Sequence, residues 1–205
     1  GIANITCLFP GGSLNDVIAF DTGPGNCVSD HLCRTHFPTG PNFDPHGEIA
    51  SRGKADRELF DLVKSHPYFV RIGPKSTDGP QMIQIFEGAL AKCEKSLSLA
   101  DQLATAAAIT AFQISRGLRS FGGQFGGELI VSGGGTRNKA IMDQLRFFVG
   151  SGISIRQTDE FGVPEQAKEA TELAVKIKDN PEWARRACDQ LGDRLAVLYL
   201  ALADS

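Results

Sequence analysis

The sequence has no apolar run long enough to cross a bilayer. Its longest late run, residues 195–203, is far shorter than the ~20 residues that a membrane-spanning helix needs. An excess of positive charge is also missing, since the formal net charge is −3. We therefore expect no membrane partner and no nucleic-acid partner, because both kinds of surface attract basic proteins. A local phosphate site remains open, because backbone N–H groups alone can form one.

A Cys-x-x-Cys pair is missing as well, although the chain has five cysteines. Two of them, Cys27 and Cys33, lie near His31 and His36, so a metal cluster is an open alternative. Unpaired structural thiols in a reducing compartment are the simpler interpretation. On this ground we expect a cytoplasmic protein.

The 205 residues are enough for one large domain or two small ones, and 41% hydrophobic with 22% charged residues is ordinary for a globular chain. Strand-like runs at 2–9 and 17–20 precede helical patterns, which then alternate with strand-like runs at 128–132 and 153–157. This order predicts an α/β fold with a mixed sheet flanked by helices. Further helices are predicted at 30–37, 48–54, 56–65, 82–95, 98–118, 139–149, 165–178 and from Pro181 to about Ala203.

The hexapeptide Asp21-Thr22-Gly23-Pro24-Gly25-Asn26 stands where a strand passes into a helix. Backbone N–H groups in such a turn can face an anion, and the helix dipole adds to the attraction. The carboxylate and the amide at its two ends suit sugar hydroxyls or a hydrated metal ion. The alternative is an ordinary turn in which the glycines provide backbone freedom.

A second glycine-rich turn, Gly133-Gly134-Gly135, follows the predicted strand 128–132 and precedes a helix that Asn138 is placed to cap. It is neither a Walker loop nor a Gly-x-Gly-x-x-Gly fingerprint. A purine or a ribose could lie against such a backbone, with a phosphate near the helix start. A tight strand–helix turn without a ligand is the alternative.

Two weaker signals involve charged residues. Asp159 and Glu160 follow a predicted strand, and acidic residues at strand ends of α/β sheets often reach ligands. The alternative is a pair of charges at a helix start. Lys75 stands in a loop where it could contact a phosphate, although an exposed lysine without a ligand is the more ordinary interpretation.

Several motifs recur together in a fixed order. They are Gly1-Ile2-Ala3-Asn4-Ile5-Thr6, Phe20 to Asn26 with Asp30, Phe43-Asp44 with Gly47, Gly53, Pro67-Tyr68-Phe69, Pro74-Lys75-Ser76-Thr77, Gly133-Gly134-Gly135 with Asn138, Thr158 to Pro164, and Ala167-Lys168-Glu169-Ala170. In order and spacing, over roughly residues 1–170, this set resembles the anhydro-N-acetylmuramic acid kinases and the related levoglucosan kinases.

The resemblance implies the actin/hexokinase-like ATPase fold, in which two ribonuclease-H-like lobes enclose ATP. Residues 1–170 would form the C-terminal lobe, and residues 171–205 a helical tail that diverges from the family. The implied reaction is the phosphorylation of a 1,6-anhydrosugar by ATP and magnesium, with hydrolytic opening of the anhydro bridge. A homodimer is a further possibility, since the apolar run of the last predicted helix could pair with a second chain.

The resemblance also implies roles by position. The residues implied to contact ATP are Gly1, Asn4, Thr22, Gly23, Gly25, Gly133, Gly134, Gly135 and Asn138. The residues implied to contact the sugar are Asp21, Asn26 and Glu160, and Glu160 is also implied to reach the magnesium ion.

Some parts of the family pattern are missing from these residues. The first phosphate loop, Gly-Thr-Ser-x-Asp-Gly, and the catalytic aspartate upstream of the Gly-Ile-Ala-Asn hairpin do not occur, so no catalytic residue is assigned. Asp78-Gly79-Pro80 replaces Gly-Arg-Glu in the sugar-side loop. We expect an N-terminal lobe to precede Gly1 and the 205 residues to be inactive alone. The alternative is a non-catalytic remnant that binds a nucleotide or a sugar.

Overall fold

The computed structural model describes residues 1–8, 18–120, 127–157, 160 and 197–202. Within these residues, one five-stranded sheet has the order β2-β1-β5-β3-β4. Its strands are β1 Ala3–Leu8, β2 Ile18–Gly23, β3 Gly127–Ser132, β4 Ile153–Gln157 and β5 Val197–Leu202.

The sheet is mixed, as the sequence predicts. β1 pairs antiparallel with β2 and β5, whereas β3 pairs parallel with β4 and β5. The end of β2 therefore lies at the same edge of the sheet as the end of β3, the end of β4 and the start of β1. In the register, Ala3 is opposite Gly23 on one side and Leu202 on the other, while Ser132 is opposite Ala201.

Six α-helices lie in the described part of the chain. They are α1 Cys27–His36, α2 Arg57–Lys64, α3 Pro67–Val70, α4 Gly79–Leu90, α5 Leu99–Arg119 and α6 Lys139–Val149. Asp56, Asp78, Ser98 and Asn138 cap four of them by accepting hydrogen bonds from backbone N–H groups of the first turn. Such caps satisfy donors that a helix start otherwise leaves unpaired, which explains why these helices begin where they do.

Helix α5 lies between the sheet and the outer helices. One side of α5 packs against the sheet, where its small and branched side chains contact Ile5 of β1; these side chains include Ala107, Ala111 and Ile114. The other side, which includes Leu103 and Ile109, forms a second core cluster with α1, α2 and α4. Small side chains allow this close approach on both sides. At Gly117 an added Cβ would lie 2.7 Å from Ile5 Cδ1, so no larger residue fits without rearrangement.

Most of the predicted elements in the described residues are confirmed, including the cap by Ser98. Residues 48–54, predicted as an α-helix, instead contain one 3₁₀ turn at Ala50–Arg52, and a second 3₁₀ turn at Pro45–Gly47 precedes them. The hexapeptide is also not a turn throughout, because β2 continues to Gly23. The predicted helix 165–178 and residues Asp159 and 161–164 lie outside the described residues.

The prediction for the last helix is wrong at its end. Residues Val197–Leu202 form β5, with backbone pairing to β1 on one side and β3 on the other. Central strands and buried helices both appear as unbroken apolar runs, so periodicity alone does not separate them. The helical surface expected to carry a homodimer therefore does not exist over these residues. No helix in the described ranges is long and apolar enough to cross a membrane.

Candidate functional site

The predicted motifs meet at one edge of the sheet. Two hydrogen bonds hold the hairpin start in place. Thr22 Oγ1 of the hexapeptide donates to Ala3 O over 3.1 Å, and the N–H of Cys27, which follows the hexapeptide, donates to Gly1 O over 3.1 Å. The glycine turn after β3 follows at the same edge, since β2 and β3 run in the same direction. Open edges at the carboxyl ends of strands are the usual ligand sites of α/β sheets.

Gly25 explains how the hexapeptide approaches the hairpin. Its φ is +56°, and a Cβ there would lie 2.5 Å from Gly1 O and 3.0 Å from Ala3 N. Thr110 of α5 donates a hydrogen bond to Gly25 O over 3.1 Å, which fixes the turn from below. Gly25 is therefore required by close packing and by its conformation, and it shapes the site through the backbone.

The hexapeptide and the second glycine turn contact each other directly. Asn138 Nδ2 donates to Asn26 Oδ1 over 3.3 Å, while Asn138 Oδ1 accepts from Ile141 N–H and so caps α6. The backbone of Gly47 packs closely against the Asn138 side chain, since a Cβ added at Gly47 would lie 2.3 Å from Asn138 Oδ1. One amide thus joins three segments that are distant in sequence.

These three segments enclose a cleft of about 490 Å³. Its volume falls within the ~300–1,000 Å³ of typical small-molecule sites. The residues that line it are Asn26, Ser29, Asp30, Phe43, Asp44, Pro45, His46, Gly134, Arg137 and Asn138. The cleft therefore combines amides, a hydroxyl, carboxylates, a guanidinium and an aromatic ring, a set that suits a polar ligand with a planar group.

Asp30 is the most perturbed acid in the cleft. It is only 4% exposed, and burial raises its pKa to about 6, although the Gly1 ammonium and Arg34 lower it. No hydrogen bond within the described residues reaches its carboxylate. A buried carboxylate that lines a cleft without a partner is a candidate ligand for a cation or a hydroxyl group.

Asp44 has a different role, although it is equally buried. Its two oxygens accept hydrogen bonds from Ile49 N–H over 2.8 Å and Ala50 N–H over 2.9 Å. The next turn contains His46, whose φ of +54° is rare for a residue other than glycine. Asp44 therefore holds the wall of the cleft in a strained conformation, which is common beside functional sites.

Asp21 does not line this cleft. Its carboxylate accepts a hydrogen bond from Thr77 N–H over 2.9 Å. Its backbone N–H donates to Lys75 O, and its backbone carbonyl accepts a hydrogen bond from the Tyr68 hydroxyl. Burial raises the pKa of Asp21, and the hydrogen bond from Thr77 opposes that shift. The structure thus separates Asp21 from Asn26, and it places Asp21 against the loop that contains Lys75.

Glu160 lies beyond the end of β4, at the same edge of the sheet, where it is exposed. Its carboxylate accepts hydrogen bonds from Arg156 Nε over 3.0 Å and from Gln157 N–H over 2.9 Å. Its sugar and metal roles stay predictions. Among the described residues, no three side chains of the types His, Cys, Asp or Glu are grouped to hold a metal ion.

The same finding bears on the cysteines. Cys7, Cys27, Cys33 and Cys93 are free thiols, and burial raises the pKa of the first three to about 11. These three thiols therefore stay protonated near neutral pH and act as small apolar residues of the core. The structural interpretation of the described cysteines is supported over the metal cluster.

The remaining residues that were predicted to contact ATP differ in whether they line the cleft. Gly133 has a φ of +84°, Gly134 lines the cleft, and Gly135 is buried within the 3₁₀ turn Gly134–Arg137. Asn4 lies on β1 with a buried Oδ1 that has no hydrogen-bond partner within the described residues. A Cβ added at Gly23 would lie 3.3 Å from Phe69 Cε1 and 3.6 Å from Gln113 Cβ, so tight packing gives a structural reason for this glycine.

No specific ligand role was predicted for seven of the lining residues. They are Ser29, Asp30, Phe43, Asp44, Pro45, His46 and Arg137. Three of them, Asp30, Phe43 and Asp44, belong to the ordered motif set, which was the signal available for them. Ser29 gave no signal, because only the position of α1 beside the cleft makes its side chain relevant.

Comparison with known proteins agrees with this arrangement of motifs. The family model described as "Anhydro-N-acetylmuramic acid kinase" matches residues 1–178. Proteins named anhydro-N-acetylmuramic acid kinase from Rhodococcus erythropolis and Salinibacter ruber are 36% and 38% identical, each over 85% of this chain and 44% of their own length. The relative of that name from Cupriavidus pinatubonensis is 37% identical over 92% of this chain and 47% of its own length.

This chain thus spans less than half the length of these curated relatives. The match nevertheless includes the hairpin start and the three segments that enclose the cleft, namely the hexapeptide, the 43–47 segment and the second glycine turn. By the extent of the family match and the identity to its relatives, the chain belongs to the anhydro-N-acetylmuramic acid kinase family.

Proposed function

We propose that this chain forms the ATP-binding part of a carbohydrate kinase that phosphorylates a 1,6-anhydrosugar while its anhydro bridge is opened by water. The observation that carries the proposal is the hydrogen bond between Asn26 and Asn138, which joins the two glycine turns around one cleft. The mixed sheet with flanking helices supports a ribonuclease-H-like lobe of the actin/hexokinase-like fold. This lobe includes β5, because Val197–Leu202 pairs with β1 and β3, so a separate tail from residue 171 onward is not part of the proposal.

The cleft has the groups that ATP requires. Phe43 is 46% exposed and offers a ring face to a base, while Asn26, Asn138 and Ser29 offer hydrogen bonds to ribose or phosphate oxygens. Glycines at 133–135 keep the turn free of side chains, so that a phosphate can approach the backbone. ATP would supply the phosphoryl group that is transferred.

Asp30 is the described residue best placed to hold magnesium together with ATP. Its carboxylate is buried, lines the cleft and has no hydrogen-bond partner within the described residues. Magnesium prefers one or two carboxylates and keeps several of its waters, so a single acid is sufficient. The ion would neutralise charge on the phosphates, and Glu160 stays a second candidate ligand.

The sugar is the less defined ligand. The curated relatives carry the name anhydro-N-acetylmuramic acid kinase, which favours that sugar over levoglucosan. Asn26 lines the cleft and stays a candidate sugar contact, together with Glu160 at the same sheet edge. Asp21 would contact sugar only if the 74–77 loop released its carboxylate.

No residue of this chain is proposed as the catalytic base. The motif Gly-Thr-Ser-x-Asp-Gly and the upstream aspartate of the family do not occur in the 205 residues, so the proposal includes an N-terminal lobe that supplies them. The 205 residues alone are expected to bind ATP without phosphorylating sugar. A cytoplasmic location belongs to the proposal because ATP is available there. A homodimer stays a prediction.

Calorimetric titration with ATP and magnesium tests the binding proposal. The wild-type chain should bind, and Asn26→Ala and Asn138→Ala should each weaken binding by roughly tenfold or more, since each removes an amide from the cleft. Gln84→Ala is the control, because it removes an exposed amide from α4, outside the cleft. A wild-type chain that folds and binds no nucleotide would contradict the proposal.

A non-catalytic remnant is the second candidate, because Asp78-Gly79-Pro80 departs from the family loop. The two candidates differ in turnover by the polypeptide that includes the upstream coding sequence. That polypeptide should phosphorylate anhydro-N-acetylmuramic acid with ATP if the kinase proposal is correct. A full-length relative serves as the positive control, and nucleotide binding without any turnover would favour the remnant.

A further inference from the structure

A second, much smaller pocket lies between the loop after α3 and helix α5. Its volume is about 20 Å³, and three cationic side chains, Arg71, Lys75 and Arg116, line it together with Gln113 and Thr22. It shares no lining residue with the larger cleft. Along α5, Gln113 and Arg116 lie about one and two turns beyond Thr110, which contacts the hexapeptide.

Within the part of the chain that the structure describes, the three cations have only backbone carbonyls as hydrogen-bond partners. Lys75 Nζ donates to Tyr68 O over 3.0 Å and to Arg71 O over 3.2 Å, and the Arg71 guanidinium donates to Pro74 O over 3.2 Å. Among the described residues, no carboxylate forms an ion pair with any of the three cations.

Arg116 completes the arrangement from α5. Its guanidinium donates to Phe69 O and, over 2.9 Å, to Val70 O, and it has five N–H donors in all. One N–H of Lys75 Nζ likewise remains after its two carbonyl contacts. The pocket therefore has donors in excess and positive charge without a described counter-ion.

The side chain of Gln113 independently indicates that the pocket holds a hydrogen-bond acceptor. Its side chain is only 3% exposed, and its Nε2 has no hydrogen-bond partner within the described residues. An unpaired buried amide N–H costs about 1–3 kcal/mol, so such groups usually face water or a ligand. An anion in the pocket would satisfy this donor and the cations together.

The size of the pocket restricts the ligand. About 10–15 Å³ is the minimum for one water molecule, so 20 Å³ matches one particle of that size, such as a monoatomic ion. Burial, together with the nearby charges of Arg116 and Arg71, lowers the pKa of Lys75 to about 8, as expected where cations are close together. The Asp21 side chain is not among the residues that line the pocket, and its carboxylate accepts a hydrogen bond from Thr77 N–H.

We propose that the pocket formed by Arg71, Lys75, Arg116 and the Gln113 amide binds one monoatomic anion of the size of chloride. The anion would connect the 71–75 loop to α5. That loop in turn binds Asp21 through Lys75 O and the nearby Thr77 N–H, so the anion would stabilise the segment that precedes the hexapeptide. The proposal is independent of nucleotide binding.

Thermal unfolding of the full 205-residue chain in sodium chloride and in sodium gluconate, at equal ionic strength, tests the site. Chloride should raise Tm saturably by several degrees relative to gluconate, since a ligand that binds only the folded state stabilises it. Lys75→Met and Gln113→Met should each abolish the difference. Lys92→Met is the matched control, because it removes an exposed lysine outside the pocket.

Chloride-35 NMR on the wild-type chain provides a readout that does not depend on folding of the variants. Excess broadening of the chloride signal, reversed by bromide, is expected from a bound and exchanging ion. Equal Tm in chloride and gluconate together with no excess broadening would overturn the proposal and leave water as the occupant. Sulfate that stabilises more than chloride and displaces it would overturn the assignment to a monoatomic ion.

Discussion

The substitution Asp30→Asn tests whether the buried acid of the cleft is kept at a cost in stability. The side chain is 4% exposed, and its pKa is raised from 3.8 to about 6. Asparagine has the same shape and no charge, so it removes the burial penalty without creating a cavity. It also removes the carboxylate that we propose as a magnesium ligand.

The sign and size of the effect follow from the two pKa values of Asp30. The folded chain holds the Asp30 proton up to about pH 6, whereas the unfolded chain loses it near pH 3.8. Stability should therefore fall as the pH rises from about 4 to about 6, because the folded state binds more protons in that interval. At about 1.4 kcal/mol per unit, the full effect above pH 6 is about 3 kcal/mol.

Urea unfolding between pH 4 and pH 8 measures this contribution. Asp30→Asn should be more stable than the wild-type chain by about 2–3 kcal/mol at pH 7, and the two should converge near pH 4. Asp61→Asn is the control, because Asp61 is paired with Lys64, which lowers its pKa, and the same change there should not stabilise the protein. Parallel pH profiles for Asp30→Asn and the wild-type chain would refute the reasoning.

Three further predictions concern the cleft and the anion pocket. Gly47→Ala should lower Tm and abolish ATP binding, because the residue has a φ of +71° and its new Cβ would lie 2.3 Å from Asn138 Oδ1. Gly150→Ala is the control: its φ is +77°, but no atom lies within 4 Å of the new Cβ, so it should lower Tm alone. Asn138→Ala should cost about 0.5–2 kcal/mol in urea unfolding through the lost cap, whereas Asn138→Asp should keep the cap and lose ATP binding. The chloride effect on Tm should shrink between pH 7 and pH 9, because Lys75, with a pKa of about 8, loses its charge there. The raised pKa of Tyr68 keeps its hydroxyl neutral in this range, so an unchanged effect would argue against Lys75 as a ligand.

Features that depend on neighbouring residues were predictable from the sequence. Ser98 and Asn138 cap their helices as expected, because an N-cap is formed within three residues of the chain. The strand–glycine–helix arrangement at 128–149 was also recognisable, since buried strand, flexible turn and capped helix follow in order.

Features that depend on distant contacts were not predictable. Asp30 becomes unusual only through burial beside the 43–47 segment, which no local pattern reports. The side chain of Asp21 is directed to Thr77, 56 positions away, because β2 continues through Asp21 to Gly23. Successive side chains of a strand face opposite sides, so Asp21 and Thr22 could not both face one ligand. The strand at Val197–Leu202 likewise depends on pairing with β1 and β3.

The contacts at the two ends of α6 restrict how the cleft can move. At its start, Asn138 contacts Asn26, and at its far end Phe148 O accepts hydrogen bonds from Ser115 Oγ and from the Arg119 guanidinium of α5. A helix held at both ends cannot slide along its neighbour without breaking one set of contacts, which disfavours a shear motion. Entry and exit of a ligand would then require a hinge in the 43–47 segment, so we expect amide hydrogen exchange there to be faster than along α6.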